Sequence, residues 1–126
     1  ERVFFMEGDH WLMTSLEGEK IGQDTFEEVK PFYSDNSYAA VKKDGKWGFV
    51  DKEGKVIISP QYEEARSFSY GYAAVKKDGK WGFIDTSGKI CIEPQFQDAM
   101  DMNSKGNIFV KENDVWQLIS LYRYNY

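Results

Sequence analysis

The chain has 126 residues, which suits one small domain with its own hydrophobic core. A hydrophobic fraction of 41% and an aromatic fraction of 17% exclude a disordered polymer and favour β-strands, while a formal net charge of -5 argues against nucleic acid as a partner. No apolar run reaches the roughly 18 residues of a membrane span, and a single cysteine excludes an intramolecular disulfide.

The N-terminal segment contains an imperfect hairpin pattern. Two apolar stretches flank a Gly8-Asp9 turn, and the second stretch begins near Trp11. His10, the only histidine of the chain, stands beside this turn without a counterpart elsewhere. A general base needs a hydrogen-bond partner and a pocket, so we expect His10 to be an ordinary surface residue.

The middle of the chain consists of two nearly identical copies of one pattern. Residues 38–51 read YAAVKKDGKWGFVD and residues 72–85 read YAAVKKDGKWGFID, so that only Val50 and Ile84 differ. Weaker copies place Trp11 upstream and Trp116 downstream at nearly the same interval. We therefore divide the chain into units of approximately 2–37, 38–71 and 72–106, followed by a partial capping unit over 107–126.

Within one unit, the pattern predicts three strands, over about 38–43, 47–51 and 55–59. Asp44-Gly45 predicts a two-residue type I′ turn between the first two strands. Pro60 either ends the third strand or places it at a sheet edge, because proline cannot donate to a ladder. Residues 62–68 have apolar positions at every third residue, which fits one short helical turn or an irregular strand, and we interpret them as an irregular connector.

The Asp44-Gly45 turn fixes the expected pairing of the hairpin. Directly opposed residues share a face, which makes both faces of this hairpin apolar away from the turn. Gly48 lies opposite Val41, where the missing Cβ leaves room for a neighbouring ring or backbone, and Gly82 repeats the arrangement. The predicted pairs are Lys43 with Lys46, Lys42 with Trp47, Val41 with Gly48 and Ala40 with Phe49.

The repeated aromatic and glycine positions are the predicted core of the fold. A tryptophan at a fixed repeat position is typical of core packing, although the terminal units should leave theirs partly exposed. Cys91 lies between two isoleucines and is expected to be a small core residue. The predicted repeat core comprises Trp11, Trp47, Gly48, Phe49, Trp81, Gly82, Phe83 and Trp116.

These patterns predict an all-β fold of tandem antiparallel repeats, each about 35 residues long and three-stranded. The repeats are expected to stack into a solenoid-like or barrel-like body. Trefoil-like closure is an alternative, and a propeller-like arrangement is less favoured because blades usually carry four strands in roughly 40 residues.

The sequence contains no pattern for catalysis, for a cofactor or for a metal. Asp51 and Asp85 each stand before a turn glycine, where the side chain can bond its own backbone. A calcium loop needs more closely spaced oxygen ligands than any segment supplies. We therefore expect no catalytic, cofactor-binding or metal-binding residue and no enzymatic activity.

The two central KWGFVD and KWGFID motifs, each followed by a turn glycine and then Pro-x-(Tyr/Phe), resemble the bacterial WG β-repeat, also called the KWG repeat. The resemblance implies an all-β repeat domain in bacterial proteins, often at the surface or envelope, without catalytic residues and with unassigned ligands. The chain starts at Glu1, so a removed targeting segment and the compartment both stay open.

Repeated surface chemistry suits contact with an extended partner, and we predict a protein-interaction module. The alternatives are carbohydrate or cell-wall binding through exposed aromatic side chains, including Tyr122, Tyr124 and Tyr126, and a structural spacer in a longer repeat protein. Nucleic acid and membrane insertion are not expected. The candidate interaction surface combines connector residues with lysines of the hairpin tips, namely Tyr62, Glu63, Glu64, Arg66, Tyr70, Lys42, Lys43, Lys76 and Lys77.

Overall fold

The computed structural model describes residues 2–30, 32, 38–103 and 105–120. These residues form fourteen β-strands and no helix, so the predicted all-β class is confirmed. The strands are β1 (Arg2–Glu7), β2 (His10–Ser15), β3 (Lys20–Phe26), β4 (Glu28–Val29), β5 (Ala39–Lys43), β6 (Lys46–Val50), β7 (Val56–Tyr62), β8 (Glu64–Ala65), β9 (Tyr72–Lys77), β10 (Lys80–Asp85), β11 (Ile90–Phe96), β12 (Asp98–Ala99), β13 (Asn107–Glu112) and β14 (Val115–Ser120).

The described strands form four antiparallel sheets, in the orders β1-β2-β3, β4-β5-β6-β7, β8-β9-β10-β11 and β12-β13-β14. Two sheets therefore have four strands where three were expected. The additional strands are the two-residue β4 and β8, and β8 lies in the 62–68 segment that was interpreted as an irregular connector. The solenoid-like, barrel-like, trefoil-like and propeller-like arrangements stay predictions.

Contacts within the chain define two compact units, Glu1–Gln61 and Tyr62–Tyr126. The core of the first unit includes Met13, Phe26 and Val50, all no more than 2% exposed. The core of the second unit is built around Phe83 and Phe96 together with further buried aliphatic side chains. Each unit thus buries its own set of large apolar residues, which is the main source of stability in small domains.

The central hairpin has the register that its turn predicts. Lys43 pairs with Lys46 and Val41 with Gly48, and the two intermediate pairs also agree with the prediction. Both turn residues have positive φ, 52° at Asp44 and 78° at Gly45, as a type I′ turn requires. The same turn geometry closes the next hairpin at Asp78-Gly79.

The strand that follows each central hairpin passes through a proline and lies at a sheet edge. β7 runs through Pro60 and β11 through Pro94, so the edge alternative for the proline is confirmed. Between Trp81 and Phe83, the paired positions on β11 move from Phe96 to Ile92, and this shift marks a β-bulge.

The predicted core residues lie where the repeat pattern puts them. Trp47 and Trp81 are 4% and 8% exposed, whereas Trp11 and Trp116 are half-buried, as expected for terminal copies. Cys91 is a correction, because it is half-buried rather than part of the core. It alternates along β11 with the buried Ile92, so its thiol faces the other side of the strand.

Candidate interaction surfaces

A short segment precedes each of the last three hairpins and docks onto its first strand. We call these junction segments, and they comprise residues 26–30, 62–66 and 96–100. Each begins with a buried aromatic ring, with Phe26, Tyr62 and Phe96 at most 3% exposed. Each then contributes a two-residue strand, β4, β8 or β12, to the sheet of the following hairpin.

The backbone of the junction segments bonds to equivalent positions of the hairpins. In the second junction, the Glu63 N–H donates to the Lys76 carbonyl at 2.9 Å and the Arg66 N–H donates to the Ala74 carbonyl at 2.9 Å. The first and third junctions repeat both bonds at 2.8–2.9 Å. Because each bond satisfies an outward-facing carbonyl of the hairpin, the junction segment converts a sheet edge into an interior strand.

The second residue of each junction segment also caps the tip of the next hairpin. The Gly45 N–H donates to Glu27 Oε1 at 3.1 Å, and the Gly79 N–H donates to Glu63 Oε1 at 3.0 Å. In the third junction, the Asp114 N–H donates to the amide oxygen of Gln97 at 2.6 Å. A side-chain oxygen therefore satisfies the same turn amide in all three cases.

A cation follows in the first two junctions and lies over the next tryptophan. Lys30 Nζ is 4.9 Å from the centre of the Trp47 ring, and Arg66 Cζ is 5.3 Å from the centre of the Trp81 ring. Arg66 Nε also donates to the Ala99 carbonyl at 2.6 Å. Arg66, which was predicted to belong to a binding surface, therefore makes stabilising contacts within the chain.

The connector residues of the predicted interaction surface separate into buried, engaged and exposed groups. Tyr62 is 3% exposed, and burial raises the pKa of its phenol, so its inclusion in that surface is corrected. Glu63 and Arg66 are engaged in the junction contacts. Glu64 and Tyr70 are exposed, and the Tyr70 side chain retains 63% of its accessible area.

The lysines of the predicted surface also separate into ion-paired, half-buried and exposed residues. Lys42 Nζ lies 3.1 Å from a carboxylate oxygen of Glu28, and Lys43 Nζ lies 2.8 Å from one of Asp24. Lys76 is half-buried, whereas Lys77 is exposed. Tyr122, Tyr124 and Tyr126, proposed as sugar-binding aromatics, lie outside the described residues.

The two central hairpin tips present the same exposed side chains. Asp44 and Lys46 at one tip match Asp78 and Lys80 at the other, and all four residues are exposed. Lys46 stands directly opposite Lys43, and Lys80 opposite Lys77. The identical sequence of the two hairpins therefore places the same residue types at the surface as well as in the core.

The predicted turn-closing role of the aspartates is confirmed. Asp85 Oδ1 accepts hydrogen bonds from the Ser87 N–H at 2.9 Å, the Ser87 hydroxyl at 2.7 Å and the Lys89 N–H at 3.0 Å. The Ser87 hydroxyl bond is the main reason why the pKa of Asp85 lies below its ordinary value. Asp51 accepts the equivalent backbone bonds from Glu53 and Lys55, both at 2.9 Å.

One further copy of this turn and one exposed strand were not predicted from the sequence. Asn103 closes the loop before β13 with the same pair of backbone bonds, from Lys105 and Asn107. The Asn-x-x-Gly spacing, which parallels Asp-x-x-Gly, was the available signal. On β1, Phe5 is 59% exposed although it occupies the repeat position of the buried Val41.

No group of three or more His, Cys, Asp or Glu residues suited to a metal ion occurs in the described part of the chain. His10 is exposed, as expected, and its Nδ1 contacts the carboxylate of neighbouring Asp9. Burial raises the pKa of the Cys91 thiol, which reduces its fraction of reactive thiolate. In the described residues, no helix is long and apolar enough to cross a membrane.

Repeated antiparallel sheets, conserved turn geometry within the chain and equivalent junction contacts define a tandem β-repeat protein. The WG containing repeat family matches residues 25–47, 47–81 and 81–116, and the chain belongs to this family. No curated protein and no solved structure matches the chain. The resemblance inferred from the KWGF motifs is thereby confirmed.

Proposed function

We propose that this repeat module is non-catalytic and mediates protein–protein interaction through its hairpin tips. The observation that carries the proposal is the duplicate display of one exposed tip, Asp44-Gly45-Lys46 and Asp78-Gly79-Lys80. A partner that recognises one tip meets the same chemistry a second time in the same molecule. Binding at both tips raises the effective affinity without requiring a large contact at either.

The chemistry of the tips favours a partner with paired acidic and basic groups. Each tip combines an aspartate with lysines, so a mixed-charge surface complements it better than a polyanion. The net charge of the chain, -5, also opposes accumulation of polyanions at the lysines. Exposed Glu64, Tyr70 and Lys77 supply further contact groups near the hairpin of β9 and β10.

The test is a comparison of immobilised proteins in lysate of the source organism, followed by direct binding of the purified partner. We expect the double variant Lys46→Glu/Lys80→Glu to lose the protein that the wild-type chain retains. The exchange is expected to preserve the fold, because it removes the opposition of like charges across each hairpin. Circular dichroism and the melting temperature verify this.

The control places two charge changes, of opposite sign, at the opposite end of the same hairpin sheets. Glu53 and Ser87 are exposed in the turns closed by Asp51 and Asp85. The variant Glu53→Lys/Ser87→Lys should retain the partner. Equal retention by the tip variant and wild type would contradict the proposal, as would binding of a glycan in place of any protein.

A further inference from the structure

The two central hairpin tips carry an Asp-Gly pair in the same flanking sequence. Asp44-Gly45 and Asp78-Gly79 each stand within YAAVKKDGKWGF, over residues 38–49 and 72–83, and both aspartates are exposed. An aspartate followed by glycine reacts readily with the next backbone nitrogen, because glycine has no side chain to shield that nitrogen. The two pairs have the same local sequence, so a difference in their reactivity within the folded chain must come from the structure.

The reaction open to an exposed Asp-Gly pair is closure of a five-membered imide ring. The glycine nitrogen attacks the side-chain carboxyl carbon, a C–N bond forms, and the hydroxyl of the carboxylic acid leaves with the amide proton as water. A water molecule then opens the ring. Cleavage at the side-chain carbonyl restores aspartate, whereas cleavage at the main-chain carbonyl gives isoaspartate, in which the backbone continues through the side chain.

The backbone conformation of the folded tips opposes ring closure. The φ angle is 52° at Asp44 and 51° at Asp78, in the left-handed region. That region has ψ near about +47°, which places Cβ and the next nitrogen on opposite sides of the Cα–C bond. The ring requires both on the same side, so the peptide plane between aspartate and glycine must first rotate by about half a turn.

The junction caps hold this same peptide plane. The Gly45 N–H donates to Glu27 Oε1 at 3.1 Å, and the Gly79 N–H donates to Glu63 Oε1 at 3.0 Å. The donor in each bond is the nitrogen that would attack the carboxyl carbon. Rotation of the plane into the reactive geometry therefore requires that the capping bond break first.

We propose that Asp44 and Asp78 are modification sites at which isoaspartate forms spontaneously, and that the capping glutamates Glu27 and Glu63 control its rate. A tip whose cap is in place is protected, and a tip whose cap is released isomerises. Each cap belongs to the junction segment that precedes its hairpin, so displacement of that segment exposes the tip to the reaction.

Isomerisation would change the chemistry that each tip presents. Isoaspartate lengthens the turn by one backbone atom and carries its free carboxylate directly on Cα. The two-residue turn sets the pairing of Lys77 with Lys80, so the longer loop alters the spacing of the exposed charges. This consequence rests on the proposed function, since a modified tip should bind the protein partner more weakly.

The experiment stores the full chain in warm buffer and quantifies isoaspartate by mass spectrometry with electron-based fragmentation. Cleavage after glutamate places Asp44 and Asp78 in peptides 29–53 and 65–93, which differ in sequence. We expect equal rates at the two sites in guanidinium-unfolded chain and lower rates at both in the folded wild type. Glu63→Ala should raise the rate at Asp78 about two- to tenfold, which corresponds to loss of one hydrogen bond, and leave Asp44 unchanged.

Two control variants separate the cap from other effects of the substitution. Glu63→Gln retains an oxygen acceptor and should isomerise at Asp78 as the wild type does, whereas a slower rate would show that the glutamate promotes the reaction as a base. Ile119→Val removes one methyl group from the buried core of the same unit and leaves the cap in place. At a denaturant concentration that equalises the free energies of unfolding, it should isomerise more slowly than Glu63→Ala.

Several results would overturn the proposal. These are an unchanged or lower rate at Asp78 in Glu63→Ala, an equal rise at Asp44, a glutamine variant that differs from wild type, or an equal rate in Ile119→Val at matched stability. Each result is obtained on the free chain, without any partner.

A second measurement separates this site from the proposed function. Chain that has accumulated isoaspartate at Asp78 is compared with fresh chain for retention of the lysate partner. Weaker retention supports both the modification site and recognition through the tips, whereas unchanged retention contradicts recognition through the tips alone. Absence of isoaspartate, with loss of the partner by Lys46→Glu/Lys80→Glu, refutes the modification site alone.

Discussion

At the scale of single residues, the β-bulge explains why the WG motif contains a glycine. The backbone of the strand that follows the hairpin lies directly against this glycine. A Cβ on Gly82 would lie 2.4 Å from the Ile92 carbonyl oxygen and 2.8 Å from the Pro94 nitrogen. A Cβ on Gly48 would meet the equivalent atoms of Ile58 and Pro60 at 2.4 and 2.7 Å. Both obstacles are backbone, which cannot move aside as the end of a flexible side chain can.

We therefore expect Gly82→Ala to lower the free energy of unfolding by about 1–3 kcal/mol through overpacking. The control is Gln117→Ala, at the corresponding position after Trp116, where the native residue already has a Cβ and is exposed. This change should stay within about 0.5 kcal/mol. Urea denaturation followed by tryptophan fluorescence measures both, and similar stabilities would show that the glycine is not sterically required.

The carboxylate of Asp85 makes stability depend on pH. Its pKa in the folded protein lies below the ordinary 3.8, chiefly because of the Ser87 hydroxyl. The ionised carboxylate therefore contributes stability that is fully present above 3.8 and is lost as pH falls through the lower folded value. We expect Asp85→Asn to be less stable than wild type at neutral pH, with the difference closing in acid.

Ser87→Ala provides the control for this prediction, because it removes the largest cause of the shift and leaves both backbone bonds to Asp85. A side-chain carboxyl NMR titration should then place the pKa of Asp85 closer to 3.8. A difference between wild type and Asp85→Asn that persists unchanged to pH values below the folded pKa would contradict the assignment.

At the scale of elements, the hairpins could be predicted and the junction segments could not. The register of β5 and β6 follows from one local signal, Asp44-Gly45, because a two-residue turn leaves no freedom in the pairing. The structure of residues 62–66 depends on hydrogen bonds to a strand about ten residues further along, and local periodicity does not encode these. Glu63 and Arg66 were accordingly taken for surface contacts.

The capping contact of Glu63 predicts different effects for three substitutions. Glu63→Ala removes the acceptor for the Gly79 N–H and should cost about 0.5–1.5 kcal/mol, near the lower limit because the site is exposed. Glu63→Gln should remain close to wild type, since Gln97 performs the same function in the next junction. Glu64→Ala, one residue further along and exposed, should change stability by less than about 0.5 kcal/mol.

Thermal or urea denaturation of these three variants decides the point. Equal losses for Glu63→Ala and Glu64→Ala would indicate a general effect of negative charge in this segment. A loss confined to Glu63→Ala, restored by glutamine, would identify the oxygen atom as the stabilising group. Hydrogen exchange of the Gly79 amide reports directly on the bond, and it should accelerate in the alanine variant alone.

At the scale of the whole molecule, the repeat explains which parts of the candidate site could be predicted. Trp47 and Trp81 were assigned to the core correctly because burial at a repeat position is enforced in every copy. Cys91 was assigned wrongly because its two isoleucine neighbours suggested a buried run, whereas Ile90 is exposed and only Ile92 of the three residues is buried. The exposure of β1 lay beyond sequence reasoning, because it depends on whether a junction segment covers the strand.

Coverage by junction segments predicts an order of hydrogen exchange across the four hairpins of the free protein. The Phe4 and Met6 amides face outward from an edge strand and should exchange fastest. The equivalent amides in β5, β9 and β13 lie beneath β4, β8 and β12 and should be protected. Protection of the β1 amides to the same degree as those of β5, β9 and β13 would contradict the assignment of β1 as an edge strand among the described residues.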